Sequence, residues 1–210
     1  YSNHLDGFKM KELNIQKNVK FGMLEFLLNT AFIFFSYRLL VMHNGIEAVG
    51  LWSLLYSIVA LLKMGDIGMA NAMQRFIAKE DKFRVGNNIG LYIVSGLWLN
   101  VLVFLILCLS GYYLSTNFIQ YFIEGKNLEA GLILLPYMYF SFFLYSIMGA
   151  LLGVIIGLHL GYKKSLIMII GAAVQLVATI ILIPDYGVKG LAYAQIISYA
   201  TVIGMTVILI

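Results

Sequence analysis

Residues Ile89–Leu114 read IGLYIVSGLWLNVLVFLILCLSGYYL, without one charged side chain. As a helix this stretch rises about 39 Å at about 1.5 Å per residue, more than the roughly 30 Å hydrocarbon core of a bilayer. A helix on a water-soluble protein would interrupt such a run with charges on its wet face. The stretch therefore reads as a transmembrane span, and five others join it: Phe21–Met42, Val49–Ala78, Leu132–Leu158, Ser165–Ile183 and Val188–Ile210. Ser165–Ile183 is near the lower length limit. Val49–Ala78 is too long for one crossing, so its last third, with Arg75 and Lys79, is expected to leave the bilayer on the cytoplasmic side. A transmembrane barrel would show alternating segments of roughly ten residues, and these runs are continuous. Their breaks carry helix-end signals at His43-Asn44-Gly45, Gly86-Asn87-Asn88 and Pro184-Asp185-Tyr186-Gly187. The fold class that follows is all-α: a polytopic membrane protein with six transmembrane helices.

Composition agrees. Hydrophobic residues make up 61% of the 210 and charged residues only 11%, against about 25% charged in a soluble domain. Mean hydropathy is +0.91. The net charge of +4 is better explained by basic loops beside anionic membrane lipid than by nucleic acid, so no nucleic-acid partner is expected. Residues 1–20 are polar and read as a cytoplasmic N-terminal segment, and 21–210 as one six-helix transmembrane lobe. Because the sequence starts at Tyr1 and stops at Ile210 inside an apolar run, the expectation is a fragment whose C-terminal lobe is missing.

Orientation follows from Lys and Arg. One side collects Lys9, Lys11, Lys17, Lys20, Arg75, Lys79, Lys82, Arg84, Lys163 and Lys164; the other holds Arg38, Lys126 and Lys189. The richer side is expected to be cytoplasmic, with the N-terminus on it.

Ionisable groups within a span are costly and point to function. On the second run Trp52, Tyr56, Lys63, Asp66 and Gln74 share about 80° of helical arc. Lys63 and Asp66 are i, i+3 neighbours that can pair, either around a ligand or as a structural ion pair. On the first run Glu25, Asn29 and Ser36 form a thin polar stripe, with Arg38 nearly opposite. In the fourth, Tyr137, Ser141, Tyr145, Gly149, Gly153 and Gly157 recur every four residues, Gly161 following. The glycines read as a close-packing face and the tyrosines as candidates for stacking on sugars. Gly171, Gln175 and Thr179, then Gln195, Ser198 and Thr201, are explained equally by interhelical hydrogen bonds and by a pathway. Enzyme signatures are lacking: His4, His43 and His159 lie in the tail and loops, and the single cysteine, Cys108, has no metal-ligand companions. No catalytic residue, metal or cofactor is expected.

Three stretches carry a resemblance. Arg38-Leu-Leu-Val-Met-His-Asn-Gly-Ile-Glu-Ala-Val-Gly-Leu-Trp52 looks like an Arg at a first-helix end followed by a Gly-x-Glu-x-x-Gly turn. Asp66-Ile-Gly-Met-Ala-Asn-Ala-Met-Gln-Arg75 looks like an Asp-x-Gly run followed by Arg. Pro184-Asp-Tyr-Gly-Val-Lys-Gly-Leu-Ala192 looks like a Pro-x-Tyr-Gly-x-x-Gly-x-Ala entry to a sixth helix. Together, and in this order, they resemble the polysaccharide flippases related to the O-antigen (Wzx-like) translocases. These are grouped with the multidrug and toxic compound extrusion (MATE) transporters and the lipid II flippases. The resemblance implies one lobe of a two-lobe exporter in the bacterial inner membrane. Its partners would be membrane lipid and a lipid-linked oligosaccharide, flipped outward for surface polysaccharide synthesis. It implies a cationic cavity with Lys63, Arg38 and Arg75 as its cations, Asp66 beside them, and Trp52, Tyr56, Tyr137 and Tyr145 against sugar. Asp66 and Glu25 depart from the family by lowering that positive charge. The alternatives are a cation-coupled MATE-type drug exporter and a non-transporting scaffold of a glycan-assembly complex.

Overall fold

The computed structural model describes the backbone of residues 2–63, 68–83, 89–123 and 125–210, and the side chains of 16–61, 68–79, 90–123, 125 and 127–210. Its elements are α1 (Ser2–Lys63), α2 (Met69–Phe83), α3 (Ile89–Phe118) with a 3₁₀ turn at Ile119–Tyr121, α4 (Lys126–Gly157), α5 (Gly161–Tyr186) and α6 (Val188–Leu209). No strand occurs among the described residues. Five helices are long and apolar enough to cross a membrane: α1 over Gln16–Leu61, then α3, α4, α5 and α6.

Helix α1 accounts for two spans. Its apolar part has 46 residues, about 69 Å of helix, more than twice the roughly 30 Å hydrocarbon core. The break is Gly45, at φ 80° and ψ 176°. Ser36 and Tyr56 would stand about 30 Å apart on a straight helix, yet they line one cavity. The arms before and after Gly45 are therefore folded back on each other. Backbone at Gly45 lies in a region that side chains with a Cβ avoid, while the space around a Cβ there is open. Gly45→Val is thus expected to lose about 1–3 kcal/mol through backbone strain alone. Thermal unfolding followed by circular dichroism checks this, with Gly50→Ala, also in open space, as a helical control that keeps the wild-type midpoint.

Contacts fix the direction of each helix. Asn18 meets Gly161 at one end and Asn44 meets Gly187 at the other, so the first arm of α1 runs parallel to α5 along its whole length. Gly187, at φ 58°, caps α5 and starts α6, and the two form an antiparallel pair in which Ser198 Oγ donates to Gly171 O at 2.8 Å. Helices α3 and α4 are also antiparallel: Phe104 packs on Phe142, Ser146 Oγ donates to Asn100 Oδ1 at 3.5 Å, and Ser115 and Tyr139 share a 2.6 Å hydrogen bond. Leu40, Leu55, Phe104, Leu135, Phe142 and Ile183 are buried together in the main core.

The second apolar run is not one helix. Its upper part is the second arm of α1, ending at Lys63, and its lower part belongs to α2. Leu51 lies against Gly131, Ala70 against Gly153 and Gln74 against Gly157, so both pieces lie end to end along α4. Met73 and Ile77 bury against Val154, while Arg75, Phe76 and Lys79 are exposed. The glycine face of α4 also needs correction. Gly153 and Gly157 are contact points, but a Cβ at Gly149 would meet nothing within 4 Å. A four-residue repeat turns about 40° per step around a helix with about 100° per residue, so its members cannot all face one neighbour. Gly161 belongs to α5.

Candidate functional site

Between the two arms of α1 and helices α4, α5 and α6 lies a cavity of about 510 Å³. Arm one supplies Asn29, Phe32, Ser36 and Tyr37; arm two supplies Trp52 and Tyr56. Tyr145 and Met148 come from α4, Ala172 and Gln175 from α5, and Gln195, Ser198 and Tyr199 from α6. The spacing 29, 32, 36 keeps one face of arm one on the cavity, and 195, 198, 199, 202 does the same for α6.

The lining is aromatic and hydrogen-bonding, and no Asp, Glu, Lys, Arg or His is among the described residues that form it. Its polar wall is organised around Gln195, which is buried. Gln195 Nε2 donates to Tyr199 OH at 2.9 Å, and Ser141 Oγ donates to Gln195 Oε1 at 3.4 Å. Trp52 and Tyr56 stack at 6.4 Å between ring centroids, and Tyr145 and Tyr199 pack tilted at 5.7 Å. A buried amide with both ends engaged holds its neighbours in one geometry, so these rings form a preset wall.

A second recess of about 480 Å³ lies between arm one and the start of α5. Asn29 and Ile33 line both spaces, which makes them adjoining. Here Lys164 Nζ donates to Glu25 Oε1 at 2.5 Å.

The candidate residues from the sequence separate. Trp52, Tyr56 and Tyr145 line the cavity. Tyr137 lies outside its lining and packs edge-on against Tyr193 at 5.1 Å. Arg38 on α1 and Arg75 on α2 are exposed and outside the lining as well. The side chain of Lys63, and Asp66 altogether, lie outside the described residues. The stripe Glu25, Asn29, Ser36 does face inward, Glu25 onto the recess and the other two onto the cavity. Sequence reasoning missed Tyr37, Tyr199 and Lys164. Tyr199 was findable as the i+4 neighbour of Gln195. Lys164 had no local signal, because its partner is on another helix.

Neither a protein-family profile nor a curated protein matches the chain in sequence. Among solved structures, the chain is similar to an outward-facing multidrug resistance MATE family transporter of the MOP superfamily, with a TM-score of 0.78 and 17% identity. It is also similar to a MOP superfamily transporter from Pyrococcus furiosus described as having a binding pocket of reversed polarity, with a TM-score of 0.77 and 16% identity. Each likeness covers 92% of this chain and 43% of the other. The chain thus has the fold of somewhat less than half of a MOP superfamily transporter.

Proposed function

We propose that the chain is one lobe of a membrane exporter, and that its cavity receives the glycan of a lipid-linked oligosaccharide on its way across the cytoplasmic membrane to surface polysaccharide assembly. The observation that carries this reading is that the described lining is uncharged, made of aromatic rings and amide and hydroxyl groups. Sugar rings present apolar C–H faces, which stack on Trp52, Tyr56 and Tyr145, and hydroxyls, which hydrogen-bond to groups such as Asn29, Gln175 and Ser198. The lipid tail can stay in the bilayer. The pyrophosphate stays outside this cavity; Arg38 and Arg75, both exposed and on opposite sides of the membrane, are the cations available to it at the two ends of its path. The N-terminus is placed in the cytoplasm by the excess of Lys and Arg on that side. A second lobe completes the transporter, because rocking of one half against the other around a shared site is the general means of alternating access.

A MATE-type drug exporter is the second reading, favoured by one of the similar structures being a multidrug resistance transporter. It fits the lining less well. An organic cation is best held by a carboxylate, and among the described residues the acid in the adjoining recess, Glu25, is engaged by Lys164. The test is the full-length protein in proteoliposomes, offered a fluorescent lipid-linked oligosaccharide and, separately, a fluorescent organic cation. Translocation of the glycolipid above protein-free liposomes, with cation uptake at background, is expected. Cation uptake without glycolipid translocation would replace this reading with the second.

A further inference from the structure

The recess between α1 and α5 has a chemistry of its own, independent of what the larger cavity carries. Glu25 and Lys164 form the one salt bridge among the described residues, with side-chain exposures of 12% and 26%. Lys164 is three residues beyond the first residue of α5, about 5 Å along the helix axis, which is near the end of that candidate span rather than its middle. Open space of about 480 Å³ lies directly beside the pair. Phe26 and Ile33, 71% and 53% exposed, give the recess an apolar outer wall, while Asn29 and Ser165 add polar groups to it.

We propose that this recess binds the headgroup of a zwitterionic phospholipid, whose phosphate takes Lys164 and whose ammonium takes Glu25. Charge balance selects this ligand. An anionic headgroup on Lys164 would strand the Glu25 carboxylate beside a second negative charge, and a cationic headgroup on Glu25 would strand the Lys164 ammonium. Leaving a partly buried charge unpaired is what such sites avoid. A headgroup with both signs exchanges one salt bridge for two and leaves neither partner alone. The apolar wall at Phe26 and Ile33 then lies where the acyl chains leave the headgroup.

The experiment uses the full-length protein in detergent, titrated with phosphatidylethanolamine, phosphatidylglycerol and a trimethylammonium lipid of the same acyl chains. Lipid retention is read by native mass spectrometry. Wild type is expected to hold phosphatidylethanolamine about tenfold more tightly than either single-signed lipid, the value of one charge-assisted contact. Glu25→Gln shifts preference to phosphatidylglycerol, and Lys164→Gln shifts it to the trimethylammonium lipid. Gly22→Phe keeps the ion pair but fills the recess, which Gly22 lines and where a Cβ on it meets nothing within 4 Å; it abolishes the preference. Equal retention of the three lipids by wild type, or a preference unchanged by Gly22→Phe, would overturn the site. The wild-type and Gly22→Phe measurements decide the matter even where the charge variants fail to fold.

Discussion

Ala172→Trp is expected to abolish export while leaving the protein folded in the membrane. Ala172 is 6% exposed and lines the cavity from α5. It makes no side-chain hydrogen bond, so its replacement strands no partner. An indole there projects into space that the proposed function assigns to sugar rings. Overpacking of about 3 kcal/mol against a bound glycan lowers its apparent affinity about 100-fold. Export by the full-length variant should therefore fall to the level of protein-free liposomes, with amount and elution volume unchanged. The cavity of about 510 Å³ has room for the ring, so the substitution competes with substrate more than with the fold. Wild-type export in this variant would move the substrate path out of the lobe.

The second large effect is on stability. Gly153→Leu is expected to destabilise the lobe by at least about 3 kcal/mol, the upper end of overpacking costs. The first added atom already conflicts: a Cβ on Gly153 would lie 2.5 Å from the backbone oxygen of Ala70. A backbone carbonyl cannot turn aside as a flexible side chain does, so α2 must move off α4. That movement takes Met73 and Ile77 away from Val154 and opens the contact at Gly157. Gly149→Leu is the matched control, one turn earlier on the same helix and in open space. It should keep the wild-type melting point, as substitutions away from packed contacts do within about 0.5 kcal/mol. Equal melting points for the two variants would show that α2 does not pack on α4 in this way.

These contrasts mark what could be read without coordinates. Spans are set by length and polarity, which each run carries in itself, so the α-helical membrane architecture was legible. Gly45 and Gly187 were legible as breaks because turn signals are local. The identity of the packing glycines was not, since it depends on which neighbour each turn of α4 meets. For the site, Trp52, Tyr56 and Tyr145 are aromatic residues on helical stripes that line the cavity, while Tyr137, on the same stripe as Tyr145, packs on Tyr193. The expectation of a cationic cavity came from resemblance, and the described lining is neutral. Glu25 and Lys164 are far apart in sequence, and only the parallel alignment of α1 with α5 brings them to one level.

The central claim is that a glycan occupies this lobe's cavity, and substrate protection of a cysteine inside it tests that directly. Gln175 lines the cavity and is partly exposed. In an otherwise cysteine-free full-length protein, Gln175→Cys is labelled with a small maleimide with and without lipid-linked oligosaccharide, and Lys79→Cys, at an exposed position of α2, serves as the control. At a substrate concentration about ten times Kd, the unoccupied fraction is about one-eleventh. Labelling at position 175 should slow by about that factor and labelling at 79 should not change. Unchanged labelling at 175 under saturating substrate would contradict the account.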